Sequence, residues 1–294
     1  MASRMTKTAL EATMKYMFLR FPEGKTKAVT FSYDDGCRED AKLSDILSEY
    51  GIKCTFNLVG QRIERADAEY KDTLREKILA RGHEIANHGY SHRALNKIRS
   101  AEGIGEVLDC RRALEAEFGG IIRGFAYPDT AVKNAEEYKK IKTYLEELDI
   151  AYARNIGGDN DSFELPEDFH NWMATAHHDN PNIMEYVDKF VNLDVSKLYK
   201  AVRSPKLFML WGHSVEFERK GNWEHLRDIC GRLGGKSDTW YATCMEIYDY
   251  VTAYNSLIYT ADSRGIYNPT LVEIFFDVDG ELHSIKPGEL IKIN

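Results

Sequence analysis

From Ala28 to Tyr33 the chain runs through β-branched, aromatic and small side chains without a charge, then meets Asp34, Asp35 and Gly36. That pattern predicts a buried strand opening into a polar turn. Over 40–50 the period changes: Leu43, Ile46 and Leu47 recur at helical spacing until Gly51 stops them, and 52–59 returns to strand character. A helix over 71–80 leads through Arg81-Gly82 into a short apolar strand that ends at His88. Val107, Leu108 and Leu114 mark one face of a helix over 104–118, closed by Gly119-Gly120. Strands over 121–128, 150–156, 172–176 and 206–211, and helices over 136–148, 184–193 and 242–257, continue the alternation. A polar insert rich in Asp, Asn and Gly precedes the strand at 172.

Strand and helix alternation of this kind predicts an α/β chain of parallel strands with crossover helices, and suits a (β/α) barrel whose chemistry sits at the C-terminal strand ends. The barrel is expected over 28–257, after an irregular N-terminal arm at 1–27 that turns at Phe21-Pro22-Glu23-Gly24. Beyond residue 257 the pattern becomes short strands with a hairpin signal at Asp279-Gly280, so 258–294 is expected as a small C-terminal β extension packed on the barrel.

With 294 residues and 43% hydrophobic content the chain can bury one large core. Its net charge of -8, with no basic run, argues against a nucleic-acid surface. Lys15 and Arg20 interrupt the apolar stretch between Met14 and Phe21, so no signal-peptide core is read there; no window reaches a membrane span, and a cytoplasmic location is expected. Cys37, Cys54, Cys110, Cys230 and Cys244 lack a CxxC spacing and read as reduced, packed thiols, Cys37 included despite its place beside Asp35.

The two carboxylates at the first strand end repel each other, and both remain ionised most easily beside a cation or an array of donors. His88 and His92, four positions apart after another strand, can be aimed at one point by a single turn or tight loop. Two imidazoles and one carboxylate with an open position form a ligand set that catalytic zinc uses.

Ser32-Tyr33-Asp34-Asp35-Gly36 and His88-Gly89-Tyr90-Ser91-His92 resemble the first two motifs of the polysaccharide deacetylase family, the NodB-homology domain of carbohydrate esterase family four. The resemblance spans about 28–256 and implies a distorted (β/α) barrel of about seven parallel strands. It implies Asp34 as general base and Asp35, His88 and His92 as ligands of a divalent metal, zinc ahead of cobalt, nickel or manganese. Phe208-Met209-Leu210-Trp211-Gly212-His213 resembles the last motif, in which an apolar strand ends in the catalytic His; an amide's leaving nitrogen must be protonated, and His213 suits that acid role.

The other motifs depart from the family. In Phe125-Ala126-Tyr127-Pro128-Asp129-Thr130 the family's Arg position is Ala126, and the position whose backbone amide holds the oxyanion is Asp129. Arg154, at the end of the following strand, is a candidate replacement for the missing Arg that orients the base. Asn171-Trp172 stands where the family has Asp-Trp, so an acid tuning His213 has to come from Asp168, Asp179 or Glu216. Tyr127, Asp129, Arg154, Trp172 and His178 are carried as candidates to bind or orient substrate, and the sequence offers no support for a second metal at His177-His178-Asp179. The expected activity is removal of acetyl groups from N-acetylated, or also O-acetylated, carbohydrate. An amidase acting on a small non-sugar compound and a carbohydrate-binding barrel with weakened catalysis are the alternatives. A homodimer closed by the β tail is the one protein partner considered.

Overall fold

The computed structural model describes residues 16–293. Its strands are β1 (Met17–Arg20), β2 (Lys27–Asp35), β3 (Cys54–Leu58), β4 (Glu84–Asn87), β5 (Gly124–Ala126), β6 (Tyr152–Asn155), β7 (Trp172–Met173), β8 (Ala176–His177), β9 (Lys206–Gly212) and β10 (Thr239–Tyr241). Five more, β11 (Ile258–Tyr259), β12 (Gly265–Tyr267), β13 (Ile274–Val278), β14 (Glu281–Ile285) and β15 (Leu290–Lys292), follow the last helix, Cys244–Asn255.

β2 is the strand about which the others are arranged. It pairs in parallel with β9 along Lys27 to Tyr33, and on its other edge with β10 over Lys27 to Val29 and with β3 over Phe31 to Asp35. Every position of β2 before Asp35 is buried, as expected for a parallel strand covered on both faces. Phe31 and Tyr33 pack outward with Leu43, Ile46 and Leu47 of helix Asp40–Glu49. Ser32 and Asp34, two apart and therefore on the opposite face, point into the barrel.

The parallel ladder runs β7-β6-β5-β4-β3-β2-β9-β8, with β10 beside β2. Its two end strands are consecutive in the chain: Met173 pairs with Asn155, and after two residues Ala176 pairs with Leu210. Between them the Thr175 N–H donates to Met209 O at 2.8 Å, and Thr175 Oγ1 accepts from the Met209 N–H at 3.1 Å. One interrupted segment thus closes the ring, which is the distorted (β/α) barrel expected from the family resemblance. The strand expected over 172–176 is two short ones because its halves serve opposite edges of the sheet.

Met17–Arg20, expected within an irregular arm, is a strand: it pairs antiparallel with β13, Leu19 opposite Phe276. Residues 1–15 of that arm lie outside the described residues. The hairpin at Asp279-Gly280 forms as expected, both residues having positive φ (53° and 99°) between Val278 and Glu281. Ile266, Ile274, Phe276 and Ile285 of the tail cluster with Ala253 and Leu257. All five cysteines are free, and burial pushes the Cys37 thiol up to about 12, the wrong direction for a nucleophile. Among the described residues no helix is long and apolar enough to cross a membrane.

Candidate active site

Asp35 breaks the alternation of β2. Its φ of 82° lies in the left-handed region, and this re-aims a side chain that would otherwise follow Tyr33 outward. Both carboxylates therefore meet at the mouth of the barrel. The two imidazoles arrive on the loop after β4. Asn87 holds that loop from behind, its Oδ1 accepting the Gly89 N–H and its Nδ2 donating to Val107 O, both at 2.8 Å. Glu106 holds it from the side, accepting the Ser91 N–H at 2.7 Å. Gly89 and His92 both take positive φ, and the resulting tight turn sets the His88 and His92 ring centroids 4.9 Å apart.

His88 Nδ1 lies 2.9 Å from the Ala126 carbonyl, a contact that can only be an N–H donation, so Nε2 carries the lone pair. That Nε2 is 3.9 Å from Asp35 Oδ1, and His92 Nε2 is 3.2 Å from the same oxygen. Burial holds the His88 pKa below its ordinary value, favouring the neutral ring that ligates metals. Asp35 Oδ1 is sealed from solvent without a hydrogen-bond partner, and the three ligand atoms lie within 4.8 Å of one another. A carboxylate oxygen set between two imidazoles without a directed hydrogen bond, and with the half-exposed Arg62 guanidinium 3.3 Å away, fits a divalent cation.

Asp34 is held differently. Arg154 Nη2 lies 2.7 Å from its Oδ1 and 2.5 Å from its Oδ2, and Asn57 Nδ2 donates to Oδ1 at 2.8 Å. Arg154 Nε and Asn57 also donate to Ser32 Oγ, so one polar group inside the barrel locks both donors. The guanidinium is fully buried with its carbon 4.9 Å from the centre of the Trp211 ring. Burial would raise the Asp34 pKa, yet the Arg154 charge, with His88 and His213 behind it, outweighs burial and holds the carboxyl below its usual value. Arg154 is registered opposite Ala126 on the neighbouring strand. The guanidinium that the resemblance places at Ala126 is therefore supplied from one strand over.

His213 follows β9, and its Nδ1 lies 3.3 Å from Glu216 Oε1. Burial would lower the imidazole pKa, but the Glu216 carboxylate and then Asp34 raise it above its ordinary value. Of the acids considered for this role, Glu216 is the one in place. Asp168 is taken up by Tyr138 Oη and Lys142 Nζ at 2.6 and 2.7 Å, Asp179 pairs with Lys220, and Asn171 accepts from Asn155. The signal was the spacing: His213 and Glu216 are three apart on the first turn of helix Ser214–Lys220 and its N-cap.

Three residues expected to meet substrate are buried instead. Tyr127 donates its hydroxyl to His170 O at 2.9 Å, and Trp172 packs edge-on against Tyr152 and Phe169. Tyr127 packs outward with Phe125, Ile141 and Tyr144, whereas Trp172, registered opposite Arg154, lies inside the barrel with Tyr152, Leu207 and Met209. His178 is fully buried beside Glu216, Oε2 of which is 3.1 Å from its Nε2. Asp129 does stand at the mouth, half exposed, with φ 60° and Oδ1 3.4 Å from His92 Nδ1. From there an open groove of about 590 Å³ runs past Arg93, Lys97 and Ile98. Trp211 faces Arg154 and lies near His213, with ring centroids 6.1 Å apart.

Residues 21–152 match the family model described as polysaccharide deacetylase. A chitooligosaccharide deacetylase of Bradyrhizobium sp. (strain ANU 289) is 32% identical over 95 residues, 31% of this chain and 40% of that protein. A chitin deacetylase of Colletotrichum lindemuthianum is 25% identical over 202 residues, 59% of this chain and 76% of the fungal protein. The chain thus spans less than half the length of the bacterial relative and about three quarters of the fungal one. A solved structure described as a polysaccharide deacetylase from Mycobacterium smegmatis shares the fold, with a TM-score of 0.56 at 18% identity, over 81% of this chain and 94% of that one. Together with the Asp-Asp and His-x-x-x-His motifs meeting at one barrel mouth, these likenesses make the chain similar to the polysaccharide deacetylase family, whose model matches residues 21–152.

Proposed function

We propose that this chain is a metal-dependent hydrolase that removes acetyl groups from N-acetylated carbohydrate, with the same site open to O-acetyl groups. The observation that carries the reading is the orphaned Asp35 oxygen between His88 and His92, set beside a second carboxylate, Asp34, that Arg154 keeps ionised. The sugar substrates of the chitooligosaccharide and chitin deacetylases support the substrate class, and the groove beyond Asp129 has the volume for a sugar unit. Asp35, His88 and His92 would hold the cation; the mixed nitrogen and oxygen donors suit zinc, with cobalt, nickel and manganese as alternatives. A divalent cation there supplies Lewis acidity, making water acidic enough to lose a proton near neutral pH and drawing charge from an acyl oxygen.

The protein groups divide the rest of the work. Asp34, ionised, accepts the proton of the attacking water. The backbone N–H of Asp129 is the donor for the oxyanion that develops on the acyl oxygen. His213 turns Nδ1 toward Glu216, which leaves Nε2–H to protonate the departing amine. Arg154 and Glu216 replace the charges missing at Ala126 and Asn171, and this favours an active enzyme over a binding barrel with weakened catalysis.

The test is acetate release from N-acetylglucosamine oligomers, run beside acetylated monosaccharides and small non-sugar amides. Release from the oligomers that stops with a chelator and returns with zinc or cobalt supports the proposal. Turnover confined to the small amides, or unaffected by chelator, contradicts it.

A further inference from the structure

Glu216 has a second set of neighbours. Its Oε2 lies 3.1 Å from His177 Nε2 and 3.1 Å from His178 Nε2, while His178 Nε2 is 3.4 Å from Asp179 Oδ2. One ligand atom from each of the four residues lies within 4.8 Å of all the others. Yet His178 Nε2 is sealed from solvent and makes no directed hydrogen bond, while the sealed Glu216 Oε2 facing it has only the His177 Nε2–H beside it. His178 has no exposed surface at all. Leaving a buried polar atom unpaired costs about 1–3 kcal/mol, so an imidazole lone pair turned toward a carboxylate oxygen requires a third party. Donors about 2.0–2.1 Å from a tetrahedral ion stand roughly 3.3 Å apart, close to the spacings found here. The orphaned Asp35 oxygen at the first cluster carries the same mark.

The ring nitrogens sort the ligands. His178 Nδ1 lies 3.3 Å from the Tyr33 hydroxyl; with the ring proton on Nδ1 and donated to that oxygen, Nε2 presents its lone pair. His177 is the reverse: its Nδ1 accepts the Asp179 N–H at 3.1 Å, which puts the proton of the neutral ring on Nε2 and makes it a donor to Glu216. Gly212 makes the room, since a Cβ there would overlap the His178 ring. Lys220 Nζ meanwhile sits on Asp179 Oδ2 as a built-in competitor for a cation.

We propose that His178 Nε2, Glu216 Oε2 and Asp179 Oδ2 form a second divalent-cation site of the zinc class, weaker than the Asp35–His88–His92 site because Lys220 opposes it. The proposal stands on these residues alone and does not depend on the reaction assigned above. Zinc titrated by calorimetry into chelator-stripped full-length protein tests it, with bound metal counted after dialysis. Two equivalents are expected in the wild type, one tighter than the other. Asp179→Asn, a change at a partly exposed position, should abolish only the weaker event, and Lys220→Met should tighten that event by about tenfold, the removal of one adjacent positive charge. Asp35→Asn should abolish only the tighter one. A single equivalent in the wild type that disappears with Asp35→Asn overturns the second site, as do two equivalents indifferent to both Asp179→Asn and Lys220→Met. Should the tighter event survive Asp35→Asn while Asp179→Asn still removes the weaker, the second site stands and the first assignment falls.

Discussion

Arg154 reaches across the barrel interior to Asp34, a residue 120 positions earlier, and touches both of its carboxylate oxygens. The two strands involved, β6 and β2, are separated in the ladder by β5, β4 and β3. This contact replaces the Arg that the family motif places at Ala126, and the one-strand displacement works because both positions sit at C-terminal strand ends and aim inward.

Removing that guanidinium should injure the base specifically. In Arg154→Met only His88 and His213 remain to oppose burial at Asp34, so its pKa rises and the acid limb of the pH–rate profile moves to higher pH. Breaking the buried pair costs about 3–5 kcal/mol of stability, and with its base displaced and partly protonated turnover at neutral pH should fall, by on the order of 100-fold for general-base catalysis. Adding Ala126→Arg to the variant should recover part of the loss. Kinetics across pH for the single and double variants check this, and an acid limb that stays in place contradicts it.

In the proposed mechanism the alkaline limb belongs to His213. A general acid works while protonated, and Glu216 raises the pKa at which His213 loses its proton. Glu216→Gln should therefore shift the alkaline limb to lower pH and leave the acid limb alone. The shift should be larger for amide than for ester substrates, since an alcohol leaves with less help. Parallel profiles with N-acetyl and O-acetyl substrates provide the measurement.

Stability should carry a signature from Asp40. This carboxyl accepts the Ser214 hydroxyl at 2.6 Å, tying helix Asp40–Glu49 to the residue after His213, and burial pushes its pKa up to about 8. Between its unfolded pKa near 4 and about 8 the folded protein holds a proton that the unfolded chain has lost. This contribution to stability is complete below the unfolded value and disappears as pH rises through the folded one, with a slope of up to about 1.4 kcal/mol per pH unit. Asp40→Asn should flatten that slope. Urea unfolding at several pH values, wild type against variant, reads it directly.

Much of this was legible in the sequence because it was local. The charge-free run into Asp34 and Asp35 announced β2 and its polar end, and the four-residue spacing of His88 and His92 announced a shared target. Where pairing partners decide, the sequence was silent. Nothing around Trp172 to His177 says that the segment splits between Asn155 and Leu210, because that depends on the ring closing. Met17–Arg20 becomes a strand through β13, more than 250 residues away, and looked irregular for that reason. Arg154 could be weighed only once its register with Ala126 was known. Tyr127 and Trp172 stood among the candidates to bind or orient substrate because an aromatic side chain gives the same signal in a groove and in a core.

The proposed metal centre is best tested by two neighbouring substitutions, with bound zinc and turnover measured on the same preparations. Asp35→Asn should lose the tightly held zinc and the activity together. Asp34→Asn should keep that zinc while turnover falls by on the order of 100-fold or more. Full activity in both variants, or tightly held zinc retained when Asp35 is changed, would contradict the account.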